Sequence, residues 1–435
     1  MRRLLAIHDA RVYLAGQSLS ILGDSALWLA AGIWVKVLTH SSALAGLTFF
    51  FFVAPSLASP LSGMLVDRVR RRPLLLVTNL GTGVMVLLLL LVHGRGQVWL
   101  IWVVMVLYGL SYTVLGSAQS ALLTVLVPED LLGDANGALR TVREGLRLVA
   151  PLLGAGLFAA VGGGAVALLD SATFGAAAVS LVLLRVREPR PSRAPEHHWM
   201  PEVSAGFRHV WQTTVLRQMT LACGAVLLVV GFAETLGFAV VAQGLHRPAT
   251  FLGVLVAIQG VGAVVGGPTA APVMRRVGEG VLAALGMLAL AAGALLWALP
   301  SVVVVGLGSV LVGFSLPWLV VGAYTLVQRS TPPELQGRTY SAFDVAVSTP
   351  QTISIAIGAG LVALVPYQAL LGLMAGVVAM SGGWLLSRPE QRRTGLRRPG
   401  GPGLEGPVVP GPAGPVVEAA VVEGAVVPGG RCPGP

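Results

Sequence analysis

Charge is what this sequence has least of. Only 11% of its 435 residues are Asp, Glu, Lys or Arg, less than half of the roughly 25% usual in soluble globular proteins. Too little polar surface remains to cover a water-soluble body of this size. That excludes a soluble enzyme, a soluble nucleic-acid binder and a secreted scaffold. Cysteine is scarce too: Cys223 and Cys432 make neither a disulfide framework nor a C-x-x-C pair. Cys223 lies in an apolar run and reads as a small buried hydrophobe. His197 and His198 stand side by side in a polar stretch without further ligands, so no metal site is expected. Nucleophile, cofactor and phosphate motifs are missing as well, which argues against catalysis. Nor does Met1–Arg11 lead to an A-x-A-like cleavage site, so no cleaved signal peptide is expected.

What the sequence has is apolar length. Hydrophobic residues make up 55% of it, mean hydropathy is +0.80, and there are 56 glycines. A helix crossing about 30 Å of hydrocarbon needs about 20 apolar residues. That ruler predicts twelve spans, near 12–35, 43–66, 74–93, 98–118, 136–160, 163–184, 217–241, 250–273, 280–299, 301–327, 339–363 and 367–386. The expectation is an all-α integral membrane protein with twelve transmembrane helices in two six-helix halves. The halves run over 1–184 and 216–388, joined by a polar, proline-bearing central loop over 185–215. From 389 to 435 glycine and proline dominate, and such a tail cannot bury enough apolar surface to order itself.

Arginine positions set the orientation. The N-terminus, the run at Arg68, Arg70, Arg71 and Arg72, the central segment, Arg275, Arg276, Arg329, Arg338 and the tail fall on one side. Only Lys36, Arg95 and Arg247 fall on the other. Basic residues stay where they need not be translocated, so both termini are expected in the cytoplasm. The preference for Arg over Lys suggests a GC-rich bacterial genome, and hence the inner membrane of a bacterium. An internal repeat supports two similar halves. At an offset of 204 residues, Pro128, Leu131 and Gly133 meet Pro332, Leu335 and Gly337, and Gly154-Ala155-Gly156-Leu157 meets Gly358-Ala359-Gly360-Leu361. Two six-helix halves enclosing a path at their interface are a transporter's architecture.

Between spans two and three the chain reads Gly63-Met64-Leu65-Val66-Asp67-Arg68-Val69-Arg70-Arg71-Arg72-Pro73. This resembles the G-x-L-a-D-R-x-G-R-R signature of the major facilitator superfamily, with Arg70 where the signature has its second glycine. Leu126-Val127-Pro128-Glu129-Asp130, Ala135-Asn136 and Leu169-Asp170-Ser171-Ala172-Thr173-Phe174 resemble the drug-efflux branch that includes macrolide exporters and is similar to siderophore exporters. The resemblance implies a secondary transporter that exports amphiphilic small molecules, such as antibiotics, by alternating access and proton antiport. A siderophore or other metabolite exporter, and a sensor or scaffold that has lost transport, are the alternatives. Helices one, four, seven and ten would surround the cavity, and two, five, eight and eleven would act as gates. Gly63, Asp67, Arg68, Arg71 and Arg72 would form a gating loop, with Asp67 against the positive N-terminus of span eleven near Gln336–Ser341. Alternatively, the arginines serve topology alone.

Ionisable side chains at membrane depth mark function by default, because burying them is costly. Asp24 in span one and Glu234 in span seven are the candidate proton or substrate sites. The competing reading is that each caps a broken helix or satisfies a neighbour. Asp170 and Asp344 are secondary candidates. Arg140, Arg143, Glu144 and Arg147 are spaced 3 and 4 apart and so share one face of span five, as an internal ion-pair cluster or as arginines snorkelling to the interface. Span five also carries Pro151 and Gly154, a partial match to the superfamily's antiporter pattern. Span four lacks the arginine of many proton-coupled members. The expected partners are an amphiphilic small molecule, protons and the lipid bilayer, with no nucleic acid.

Overall fold

The computed structural model describes residues 2–58, 69–128, 131–185, 199–332 and 335–393. Among these residues every regular element is helical. Twelve helices follow the twelve apolar runs: α1 His8–Thr39, α2 Ser42–Val53, α3 Arg71–Leu87, α4 Val98–Leu126, α5 Leu132–Val161 and α6 Gly163–Leu183 in the first half. The second half holds α7, in two segments Thr214–Val230 and Ala233–Ala239, then α8 Phe251–Val277, α9 Glu279–Trp297, α10 Val302–Arg329, α11 Gln336–Leu364 and α12 Tyr367–Ser387. Ten are long and apolar enough to cross a membrane outright. The other two are α2, whose apolar stretch is short, and α5, whose charged first half leaves only Gly145–Val161 apolar.

Local chemistry sets the helix ends. His40 takes a left-handed conformation (φ 58°) and its N–H returns to the Lys36 carbonyl, closing α1. Ser41 then accepts a hydrogen bond from the Leu44 N–H at 3.3 Å and starts α2. Gly162 and Gly278 (φ 96° and 92°) join α5 to α6 and α8 to α9 with no further loop. A side chain is disfavoured in that region of backbone space.

Within the first half α1 packs on α5 and α6, and α3 on α4 and α6; within the second α7 packs on α11 and α12, and α9 on α10 and α12. The halves meet through α2 against α11 and α5 against α8, helix pairs that are equivalent under the 204-residue repeat. The repeat extends to cap geometry: Leu131 before α5 and Leu335 before α11 have φ, ψ of −106°, −2° and −108°, −4°. Small residues let the halves close on the face opposite the termini. A Cβ added to Gly253 of α8 would lie 2.6 Å from the Ala155 Cβ of α5, and one on Gly46 of α2 would lie 1.9 Å from Thr235 Oγ1 of α7. These contacts close the bundle opposite the termini.

The described part of the central segment is helical. Inside it Trp199–Gln212 forms an amphipathic helix lying against α11. Val210 is buried, the His209 ring nitrogen Nε2 lies 3.1 Å from the Ser330 carbonyl, and Gly206 rides on the Arg338 carbonyl, 2.3 Å from where its Cβ would stand. A five-residue helix, Pro389–Arg393, follows α12. Its Gln391, fully buried, donates to the Val215 carbonyl (2.9 Å) and to Gln218 Oε1 (3.1 Å). The Gly/Pro-rich tail beyond 393 and the His197-His198 pair lie outside the described residues.

Candidate functional site

At the middle of α1, Asp24 faces α4 and α6. The Tyr108 hydroxyl of α4 donates to Asp24 Oδ1 at 2.6 Å and lies 3.1 Å from Asp170 Oδ2 of α6. Asp170 is fully buried. What brings α6 this close is Gly23: a Cβ there would lie 2.1 Å from Thr173 Oγ1 and 2.5 Å from Asp170 Oδ1. The Tyr108 ring is held between Phe52 and Phe174, each 5.7 Å away between centroids. The structure therefore joins a primary candidate, Asp24, to a secondary one, Asp170. The connecting residue, Tyr108, carries no charge that would mark it in the sequence.

Beside this trio lies a cavity of about 100 Å³, lined by Gln17, Asp24, Ser25, Tyr112, Gln119 and Arg143. Gln17 is 8% exposed. It stands seven residues before Asp24, two turns along the same face of α1, a periodicity that could have marked it in the sequence. Arg143 reaches the cavity from α5, as one member of the expected arginine face.

In the second half Glu234 opens the second segment of α7, just past the turn at Gly231–Phe232. The break places Gly231 against α11, where a Cβ would sit 2.6 Å from Ser354 Oγ. The positive charge of Arg147 on α5 is felt at Glu234 across the two halves, without an ion pair between them among the described contacts. One turn of α5 thus sets Arg143 toward the acid of the first half and Arg147 toward the acid of the second. The side chains of Arg140 and Glu144 lie outside the described ones. Asp344 is exposed and accepts a hydrogen bond from the Tyr324 hydroxyl at 3.0 Å.

Of the gating loop, Gly63, Asp67 and Arg68 lie outside the described residues. Arg71 begins α3. Arg72 donates from Nε to the Leu181 carbonyl (2.8 Å) and from its terminal nitrogen Nη2 to the Val182 carbonyl (3.0 Å), capping the C-terminal end of α6. Aromatic side chains here pack on one another. Trp28 packs at a tilt on Phe49 (4.6 Å) and Phe49 stacks on Phe238 (6.1 Å) where α1, α2 and α7 converge, and the Trp318 indole donates to Thr269 Oγ1 at 3.0 Å.

The sequence profile described as Major Facilitator Superfamily matches residues 13–240 and 223–419. The chain belongs to this superfamily. It is a transporter rather than an enzyme, as its composition implied. Among curated proteins it is 26% identical, over 369 residues, to the enterobactin exporter EntS of Escherichia coli O1:K1 / APEC, which covers 83% of this chain and 87% of that protein. The enterobactin exporter EntS of Shigella flexneri is 26% identical over 372 residues, with the same coverage. Among solved structures, a bacterial homologue of the iron transporter ferroportin in an inward-facing state has a TM-score of 0.65 at 18% identity, covering 87% of this chain and 99% of that one. The nucleoside transporter NupG has a TM-score of 0.68 at 11% identity, covering 88% and 100%. These likenesses establish the twelve-helix fold of the superfamily.

Proposed function

We propose that this superfamily member is a proton-coupled exporter of bulky amphiphilic small molecules, with the Asp24–Tyr108–Asp170 trio as its proton site in the first half and Glu234 as its counterpart in the second. The observation that carries the reading is the trio itself. A phenol has one proton to give, yet two carboxyls face it. The second contact closes as a hydrogen bond when one of the acids carries a proton, so the trio is complete with one proton on the acid pair. Two carboxyls this close cannot both stay charged in a low-dielectric interior without a cation. Arg143, on the adjoining cavity, is the cation that stands in when the proton leaves. Loss and gain of that proton is the charge change that an antiport cycle needs.

The arginine distribution supports a cytoplasmic terminal face and a bacterial inner membrane, and the described contacts close the opposite end. Cargo would load from the cytoplasm at the terminal face and leave after the halves rock about α2–α11 and α5–α8. The loop with Gly63, Asp67, Arg68, Arg71 and Arg72 would hold the terminal face shut in the opposite state. Similarity to the enterobactin exporters favours a siderophore-type cargo; macrolides and other drugs are the competing class.

Inverted membrane vesicles, energised so that their lumen is acid, test this directly. A catecholate siderophore, a macrolide or a dye is added outside and lumenal pH is followed. Cargo entering in exchange for protons raises lumenal pH, and the compound that does so names the cargo class. Cargo uptake that leaves lumenal pH unmoved would refute antiport.

A further inference from the structure

A cleft of about 370 Å³ opens on the outer surface of the second half, between α7 and α12. It is lined by Leu221, Ala222 and Ala225 of α7 and by Met380, Ser381 and Trp384 of α12. Leu221 and Met380 are 49% and 68% exposed, which on membrane-spanning helices means that they face lipid. The small side chains of Ala222, Ala225 and Ser381 leave the space. An empty apolar groove in a bilayer fills with acyl chain, so the question is what selects the head group.

Both ends of the answer lie where the cleft reaches the terminal face. One turn before Leu221, α7 carries the exposed Arg217, whose guanidinium is fixed by a bond to the Trp211 carbonyl at 3.3 Å. Four residues past Trp384, Arg388 lays its guanidinium over the Trp384 ring, 4.8 Å from the centroid. The buried Arg388 Nε has no hydrogen-bond partner among the described residues. The guanidinium as a whole covers Trp384, a wall of the cleft, with Arg217 on the α7 side.

We propose that this cleft is a binding site for an anionic phospholipid of the leaflet at the terminal face. One acyl chain lies between α7 and α12 against Leu221, Ala225 and Met380, and the phosphate accepts hydrogen bonds from the terminal guanidinium nitrogens of Arg388 and Arg217. Basic residues over an interhelical groove are the arrangement that holds an acidic head group. The site lies on α7, the helix that carries Glu234, and on α12, which leads into the Pro389–Arg393 helix. Its occupant therefore braces the second half without entering the transport path.

Native mass spectrometry of the purified full-length protein, exchanged into phosphatidylglycerol or phosphatidylcholine of identical chains, tests the assignment. The native protein should retain phosphatidylglycerol in preference. R217Q and R388Q should each cut that preference about fivefold, and A225F, which fills the cleft, should lower retention of both lipids. Equal retention of the two lipids by the native protein would overturn the proposal. So would displacement of phosphatidylglycerol by excess inorganic phosphate, which would indicate a free-anion site. A dimer that A225F abolishes would assign the cleft to a second copy of the chain instead. Should R388Q not fold, phosphatidylglycerol brominated along its chains provides the second measurement. It should quench the fluorescence component that W384F removes, and an unquenched component would count against the site.

Discussion

Tyr108 owes its place to the residues around it rather than to its own chemistry. Phe52 and Phe174 fix the ring, and Gly23 lets α6 come close enough for Asp170 to reach the hydroxyl. Tyr108→Phe therefore keeps the packing and removes only the bridge. It should lower proton-coupled efflux about tenfold, equivalent to ~1.4 kcal/mol, with expression unchanged. Asp24→Asn and Glu234→Gln should abolish coupling altogether. Wild-type lumenal pH changes in the vesicles of all three variants would remove these residues as carriers. A second pair allows a sharper comparison. Arg329, exposed, donates to Glu279, which is 2% exposed at the start of α9. Removing the arginine strands a buried carboxylate, whereas removing the carboxylate returns the arginine to water. Arg329→Gln should thus cost on the order of 2 kcal/mol and Glu279→Gln less than about 1 kcal/mol, read as unequal drops in melting temperature. Equal drops would show that Glu279 finds another partner. The sequence marked Asp24 and Glu234 because a lone acid in an apolar run stands out. Tyr108 and Gln17 escaped because an aromatic or an amide is ordinary there, and only the approach of α4 and α6 gives them a shared task.

At the scale of elements, the twelve helices were legible because bilayer thickness imposes a length that apolar runs disclose one by one. The Trp199–Gln212 helix was not, since its stability is tertiary: Gly206 and Val210 have a buried face only because α11 supplies it. The same reasoning covers α5, whose Arg143 and Arg147 shorten its apolar run yet are turned toward the cavity and the other half. The docked helix yields a prediction of its own. A side chain at Gly206 would collide with the Arg338 backbone, so Gly206→Val should undock the helix while leaving the spans intact. Trypsin should then cut at Arg208 much faster than in the native protein, with the melting temperature of the bundle nearly unchanged. Unaltered cleavage would mean that the contact with α11 contributes little to holding the helix.

For the whole molecule, the two-fold repeat explains why the halves meet through α2–α11 and α5–α8, helices that swap under the same 204-residue shift. A symmetric body with two symmetric contacts can close at either end with similar energy, and its preference rests on the few residues that differ between the ends. In this structure the end opposite the termini is closed, with Gly253 on Ala155 and Gly46 on Thr235. Both glycines lack the one atom that would prevent closure. Gly253→Val and Gly46→Val should each wedge that end apart and shift the population toward the state open there, by about tenfold for each ~1.4 kcal/mol of clash. Impermeant thiol labelling of Gln119→Cys, with Cys223 and Cys432 replaced, reads the shift because Gln119 lines the cavity. Without the wedge, labelling should proceed from the terminal face alone. With it, labelling from that face should slow and labelling from the other should rise. A wedge that slows the first without raising the second would show that the halves separate without rocking, and that the contacts at the two ends are not alternatives of a single equilibrium.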